Sequence, residues 1–316
     1  MSNVEVAAKY IKEGKLVAFP TETVYGLGAN ALNPQAVARI FEVKERPSFD
    51  PLIVHIADLK ELDQLTAHHD ERVFIIAKHF WPGPLTMVLP KSDIVPDIVT
   101  SGLPTVGIRM PNNEVALDLI SKSGCPIAAP SANKFGSISP TLASHVKEKL
   151  AKVDYILDGG KTSVGIESTI IKFTKYGFQI LRNGIITKEE LEKYLPHDDK
   201  TPIEEASAPG MMKSHYSPQK KLLLADNSNI LNIDKSKAGL ISFTGNLESA
   251  FSKVIRVSEK QDLKDYAVNM FEAMHNLEDD DSIDLIIAEA VAEEGIGVAI
   301  MDRLRKAEYN WRNVKV

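Results

Sequence analysis

Residues 18–55 read AFPTETVYGLGANALNPQAVARIFEVKERPSFDPLIVH. An apolar run at 15–20 (KLVAFP) predicts a short strand. Asn33 as N-cap with Pro34 in the first turn predicts a helix over 34–44. The run Leu52–Ile56 (LIVHI) predicts a buried strand, so strand, helix and strand follow one another within forty residues and the chain reads as α/β. What lies between them is chemical. If 20–25 is extended, side-chain alternation puts Thr21, Thr23 and Tyr25 on one face. An ordinary β-face explains the same pattern, because threonine and tyrosine favour strands. Gly26-Leu27-Gly28 reads as a turn. Lys44 and Arg46 share a side if the chain is extended, as Pro47 favours for Arg46; they equally suit the C-terminal dipole of the helix. His55 in its apolar run is a core imidazole or a site residue. Hydroxyls, glycines and fixed cations are what a phosphate-handling site needs.

Working outward, Val4, Ala7, Ala8 and Ile11 mark one face of a first helix. Helical spacing over 70–80 ends at Trp81-Pro82-Gly83-Pro84, which feeds a strand at Leu85–Leu89. Further strands are expected at Val106–Met110, Ile127–Ala129, Tyr155–Leu157, Thr169–Phe173 and Gln179–Leu181, with helices at 114–122 and 141–150. Hairpin-like spacing over 155–182 argues for a mixed, twisted sheet. Periodicity stops near residue 196, and 196–219 reads as a linker or long loop between a unit at 1–195 and a smaller α/β unit at 220–316. The second unit has strands at Leu222–Leu224, Gly239–Phe243 and Leu285–Ala288, a helix at 262–276, and a Gly-x-Gly turn opening a helix at 295–306. The acidic run Glu278–Asp281 reads as a solvated turn.

The net charge of −6 over 316 residues gives no overall basic field for nucleic acid; any RNA contact would be a weak, salt-sensitive local patch. A single cysteine, Cys125, allows no disulfide and no cysteine-based metal site, and its apolar flanks suggest a buried small hydrophobe. Without a signal-like start or an apolar stretch of about 20 residues, the expectation is a cytoplasmic protein. His68-His69 reads as helix-start surface.

Two phosphate motifs fail. Gly159-Gly160-Lys161-Thr162 lacks the leading glycine of a P-loop, since Tyr155 stands in its place, and Gly26-Leu27-Gly28 lacks the third glycine of a dinucleotide fingerprint. Stronger candidates end the strands. Arg109 in VGIRMP must find an anion, either a protein carboxylate or a ligand. Pro130-Ser131-Ala132-Asn133, with Ser137, Ser139 and Thr141, forms a polar loop beyond the strand PIAA, where α/β proteins bind ligands. Ser139-Pro140 also suits a helix cap. Glu167-Ser168-Thr169 and Arg182-Asn183-Gly184 flank the last hairpin.

In this order PTETVYGLG, KERPSFDPLIVH, WPGPLT, VGIRMP, PSAN and EST…LRNG resemble the YrdC-like threonylcarbamoyl-adenylate synthases. The linker PGMMKSHYSP (209–218) and the end GIGVAIMDRLRKA resemble the long two-domain form. The resemblance implies a YrdC-like catalytic unit with a smaller Rossmann-like unit. It implies the reaction of L-threonine, bicarbonate and ATP, with Mg²⁺, to threonylcarbamoyl-AMP and pyrophosphate. The product would pass to a separate transferase that modifies tRNA beside the anticodon. It implies Lys44, Arg46, Ser131 and Asn133 at the nucleotide phosphates, Lys44 and Arg46 catalytic, and Asp50, Thr105, Ser139, Arg182, His215 and Tyr216 as further ATP contacts. Thr23, His55, Arg109 and Ser168 would hold threonine, with Arg109 bidentate on its carboxylate, and His215-Tyr216 would fold over the site. Asp50 departs from the family's usual asparagine. Two rivals remain: carbamoyl transfer in hydrogenase maturation, which the single cysteine disfavours, and an RNA-binding module, which the acidic total disfavours. Metal ligands and the second unit's task (regulation, docking, or a brace for the linker) stay open.

Overall fold

A computed structural model describes residues 2–68, 70–202, 215–225 and 233–312, with side chains to residue 308. The chain opens with α1 (Asn3–Lys12), β1 (Val17–Phe19), β2 (Gly26–Asn30), α2 (Pro34–Lys44) and β3 (Ile53–His55). It continues with α3 (Leu62–Leu65), α4 (Glu71–Phe80), β4 (Leu85–Pro90), α5 (Asp97–Thr100), β5 (Thr105–Arg109), α6 (Glu114–Ser123) and β6 (Ile127–Ala128). Then come α7 (Ala143–Lys149), β7 (Tyr155–Ile156), β8 (Thr169–Thr174), β9 (Gly177–Arg182) and α8 (Lys188–Glu192). The last elements are β10 (Lys221–Ala225), β11 (Ala238–Ser242), β12 (Lys253–Arg256), α9 (Leu263–Glu278), β13 (Leu285–Glu289) and α10 (Ile296–Arg312).

Nine strands form one mixed sheet in the order β7-β1-β2-β6-β3-β5-β4-β8-β9, and four form a second, wholly parallel sheet in the order β10-β13-β11-β12. Alternation sorts the large sheet's side chains. Val17 and Phe19 pack with α1 and α6, whereas Ala18 turns to the opposite core with α2 and α4. Val54 and Ile108 enter that same core, so their neighbours His55 and Arg109 face the other way. These two are directly paired across β3 and β5. Asn33 caps α2 as expected, its Oδ1 accepting from the amides of Gln35 and Ala36. Among the described residues no helix is long and apolar enough to cross a membrane.

The expected turn at Gly26-Leu27-Gly28 is instead strand β2. A Cβ on Gly28 would lie 2.8 Å from both Phe19 and Ile127, so this glycine makes room for its neighbours rather than reversing the chain. Cys125 is half-buried rather than buried, and partial burial pushes its thiol up to about 11. The acidic run is not an idle turn either. Glu278 and Asp279 hold Lys149 of α7 at 3.0 and 2.5 Å, and Asp280 pairs with Lys253. His69 and residues 203–214 of the expected linker lie outside the described residues.

The two sheets share a core. Val24, Ile138 and Ile166 from the first part of the chain pack with Tyr216, Leu222, Tyr266, Met270, Phe271 and Leu304. Gly165 permits this contact: its φ of +80° is left-handed, and a Cβ would lie 2.3 Å from the Ala267 carbonyl oxygen. His145 and His275 stack across the junction at 3.9 Å, with His275 Nε2 3.2 Å from the Ser139 carbonyl oxygen.

Candidate active site

A cavity of about 580 Å³, its open mouth included, lies on the His55–Arg109 face of the large sheet. Its walls come from segments far apart in sequence: 21–26, Arg46, 51–55, Arg109, 129–131, 167–168, Arg182 and His215-Tyr216.

Thr21 organises the first wall. Its hydroxyl donates to the Val24 carbonyl at 2.7 Å and accepts from the amides of Thr23 and Val24. This closes a side-chain turn, so residues 21–25 are not extended. The expected row of three hydroxyls is therefore absent: the Tyr25 hydroxyl turns away to the Gly160 carbonyl, 2.7 Å distant. Since the Thr21 proton is committed, Thr23 donates to Thr21 at 2.8 Å and accepts from Arg109 Nη1 at 2.9 Å. Arg109 also lies 2.6 Å from Glu22 Oε2, both side chains being buried. Its anion within the protein is thus Glu22. His55 lies beside it, its ring perpendicular to that of Phe19 with the centres 6.1 Å apart. Burial, and then the Arg109 charge, pulls the imidazole down to about 3, so His55 is neutral at ordinary pH.

Arg46 enters from the loop after α2. Its Nε and Nη2 donate to the carbonyls of Asp50 and Pro51, and Nη2 pairs with Asp50 Oδ2 at 2.9 Å. Burial lowers the Arg46 pKa and raises that of Asp50, against their mutual attraction. Lys44 stands behind this wall. Its Nζ donates to the carbonyls of Ser131 and Asn133, bracing the Pro130–Asn133 loop. Burial first, then Arg46, pushes Lys44 well below its usual range. On the far side Arg182 donates to the Ser168 carbonyl and hydroxyl at 3.1 and 3.0 Å, and Ser168 also meets the Thr86 hydroxyl at 2.8 Å.

The roof comes from His215 and Tyr216, which lead into the second sheet. Tyr216 is buried with a φ of +63°, a left-handed conformation uncommon for an aromatic residue. Ser217 N fixes the entry by donating to Gly136 O at 2.8 Å. Burial, and then the charges of Arg46, Lys44, Arg182 and Lys306, push His215 well below its usual pKa. His215 is thus neutral at ordinary pH, chiefly because it is buried and further because these cations face it.

A family model for the Sua5, YciO and YrdC proteins, described as "Telomere recombination", matches residues 9–184. A second, described as "Threonylcarbamoyl-AMP synthase, C-terminal domain", matches residues 186–308. The chain belongs to this two-part Sua5 family. A threonylcarbamoyl-AMP synthase of Pyrococcus abyssi is 43% identical over 99% of this chain and 96% of that protein. One of Bacillus subtilis is 42% identical over 95% and 91%. The crystal structure of the P. abyssi Sua5 complexed with L-threonine superposes with a TM-score of 0.86 at 42% identity, covering 97% of this chain and 94% of that one.

In this Sua5-family chain the cavity gathers Thr23, Arg46, His55, Arg109, Ser131, Ser168, Arg182, His215 and Tyr216 from the expected set. Five others do not line it. Lys44 lies behind the Pro130–Asn133 loop, and the Asn133 side chain turns away, its Nδ2 donating to the carbonyls of Lys134 and Ser137. Asp50 is turned to Arg46. Ser139 is buried against Glu167 at 2.5 Å. Thr105 lines a narrower neighbouring cleft with Leu103 and Gly107, which shares Pro51 and Leu52 with the cavity. Sequence reasoning missed Glu22 and Glu167 as charge partners, and Arg303 altogether. An arginine at an apolar-periodic position of a helix is the signal that could have found the last.

Proposed function

We propose that the protein makes threonylcarbamoyl-AMP: threonine and bicarbonate form the N-carboxylate with loss of water, and this attacks the α-phosphorus of ATP. The new bond is carbamate oxygen to phosphorus, and pyrophosphate leaves with the electrons of the broken P–O bond. The carbamate is already an anion, so the step needs alignment and charge neutralisation rather than a strong base. One observation carries the reading: Arg46, Arg109 and Arg182 converge on a single cavity with the hydroxyls of Thr23, Ser131 and Ser168 and a neutral His55.

The roles follow from position. Arg46 and Arg182, with Ser131, receive the phosphates, while Lys44 and Asn133 hold the Ser131 loop and Asp50 aims Arg46. Thr23, His55, Arg109 and Ser168 take threonine and its carbamate. Because Arg109 is already paired with Glu22, it meets the amino-acid carboxylate as a shared cation. His215 and Tyr216 keep water from the mixed anhydride. The cavity's neighbouring carboxylates, Glu22, Asp50 and Glu167, are each committed to an arginine. No group of three metal-ligating side chains occurs among the described residues. Magnesium therefore enters on the nucleotide phosphates, as part of the substrate. The product then passes to a separate tRNA-modifying transferase.

Pyrophosphate release is the test. Release from MgATP that requires both L-threonine and bicarbonate is the expected result. ATP binding without threonine-dependent release would overturn the reading in favour of a binding module.

A further inference from the structure

Arg303 is carried by α10, at the opposite end of the chain from the cavity's first wall, yet it is fully buried. Its Nε donates to Glu167 Oε2 at 3.1 Å and its Nη1 to the Asn183 carbonyl at 2.6 Å and Asp302 Oδ2 at 2.9 Å. Its guanidinium carbon stands 5.5 Å from the centre of the Tyr216 ring. One side chain from α10 therefore touches a wall residue of the cavity, Glu167, and a roof residue, Tyr216.

Glu167 poses an electrostatic problem. It lines a cavity that, on the function proposed above, admits a triphosphate and a carbamate. Its other oxygen accepts from the Ser139 hydroxyl at 2.5 Å. Burial alone would push its carboxyl up, but the charges of Arg303 and Arg182 outweigh burial and hold it below the usual range. It is thus a carboxylate at the wall of an anion site, and Arg303 is the cation that touches it.

We infer that Arg303 is a positioning residue of the adenylation site: it neutralises and fixes Glu167 beneath Tyr216, so that the second unit supplies part of the electrostatic frame that admits ATP. It acts through Glu167, not on substrate. This gives the second unit a task at the site itself, distinct from the regulation, docking or linker brace that the sequence left open.

The inference rests on the proposed reaction, so its test uses ATP binding as well as turnover. Equilibrium affinity for MgATP and threonine-dependent pyrophosphate release are measured for wild type, Arg303→Met, Arg303→Lys, Glu167→Gln and the Arg303→Met/Glu167→Gln double variant. Melting temperatures are recorded alongside. Arg303→Met should weaken ATP binding by tenfold or more, because an unpaired carboxylate then faces the phosphates. The double variant should recover most of that loss, and Arg303→Lys should recover part of it, since a cation again faces Glu167. A purely structural Arg303 predicts the reverse: the double variant binds ATP no better than Arg303→Met, and that result overturns the inference. Should Arg303→Met fail to fold, the double variant still decides it, because a tenfold loss of ATP affinity in a folded protein that lacks both charges excludes the electrostatic role. Absence of threonine-dependent release in wild type would defeat the proposed reaction while the ATP affinities still judge Arg303. A wild type that binds no ATP would defeat both.

Discussion

Replacing Arg46 by alanine removes the guanidinium most directly offered to the cavity from the KERPSFDP loop. Two hydrogen bonds to the carbonyls of Asp50 and Pro51 disappear, and Asp50 is left buried without its ion partner. Breaking a buried pair from one side typically costs about 3–5 kcal/mol of stability. Asp50 softens this, because its pKa is already raised by burial and its carboxyl takes up a proton once Arg46 is gone. The lower end, about 3 kcal/mol, is therefore expected for folding. For turnover the loss is electrostatic stabilisation of charge building on the α-phosphorus, about 2–4 kcal/mol for one such group. That corresponds to roughly thirty- to nine-hundred-fold in kcat/KM. The assay is threonine-dependent pyrophosphate release at saturating bicarbonate, with a denaturant titration to confirm that the variant is folded. A folded Arg46→Ala protein within threefold of wild type would remove Arg46 from the reaction.

Three further predictions concern the frame. Gly28→Ala places a methyl 2.8 Å from Phe19 and Ile127 and should lower stability by about 1–3 kcal/mol, read as a fall in Tm; an unchanged Tm would mean that β2 is not confined there. Gly165→Ala sets a Cβ against the Ala267 carbonyl at a positive φ, so the second sheet should loosen and become more sensitive to limited proteolysis than wild type. Unchanged digestion would show that this contact does not hold the sheets together. The stacked pair His145 and His275 predicts a pH dependence. Burial drives each ring down to about 4, so the unfolded chain binds more protons between pH 4 and 6.5 and stability falls as pH drops through that window. With two such rings the loss should exceed about 2 kcal/mol by pH 4. Urea midpoints of a His145→Asn/His275→Asn variant should fall less steeply than wild type over the same range; equal slopes would acquit the pair.

The elements that sequence made legible are those whose cause is local. Asn33 and Pro34 announce α2, and the β8–β9 hairpin follows from two short apolar runs and a tight return. The pairing of His55 with Arg109 was half visible, since each interrupts an apolar strand, but the register that joins them belongs to the sheet. Glycine defeated the reading at 26–28 because the same letter serves a turn and a crowded strand. The threonines of PTET defeated alternation because Thr21 bonds its own backbone. Lys44 read as a cation for phosphate, and no periodicity shows that its ammonium donates to the carbonyls of Ser131 and Asn133, on a loop about ninety residues further along the chain. Arg303 and Glu167 stand 136 positions apart, and no periodicity links residues at that distance.

Tyr216 is both roof and core. Its ring packs beside Phe271, with the aromatic centres 5.5 Å apart, in the cluster that joins the two sheets. Lifting the roof at this residue means withdrawing an aromatic ring from a packed interior, a transfer worth about 1.5–3 kcal/mol. Such a gap leaves an open form at only about one part in thirteen to one in a hundred and sixty. Substrate entry and product escape would then be rationed by a rare conformer rather than by diffusion, and the exchange rate of the Ser217 amide, tied to Gly136, is the clock that would count its visits. An amide there exchanging as freely as an exposed loop would mean that the ring does not hold the door.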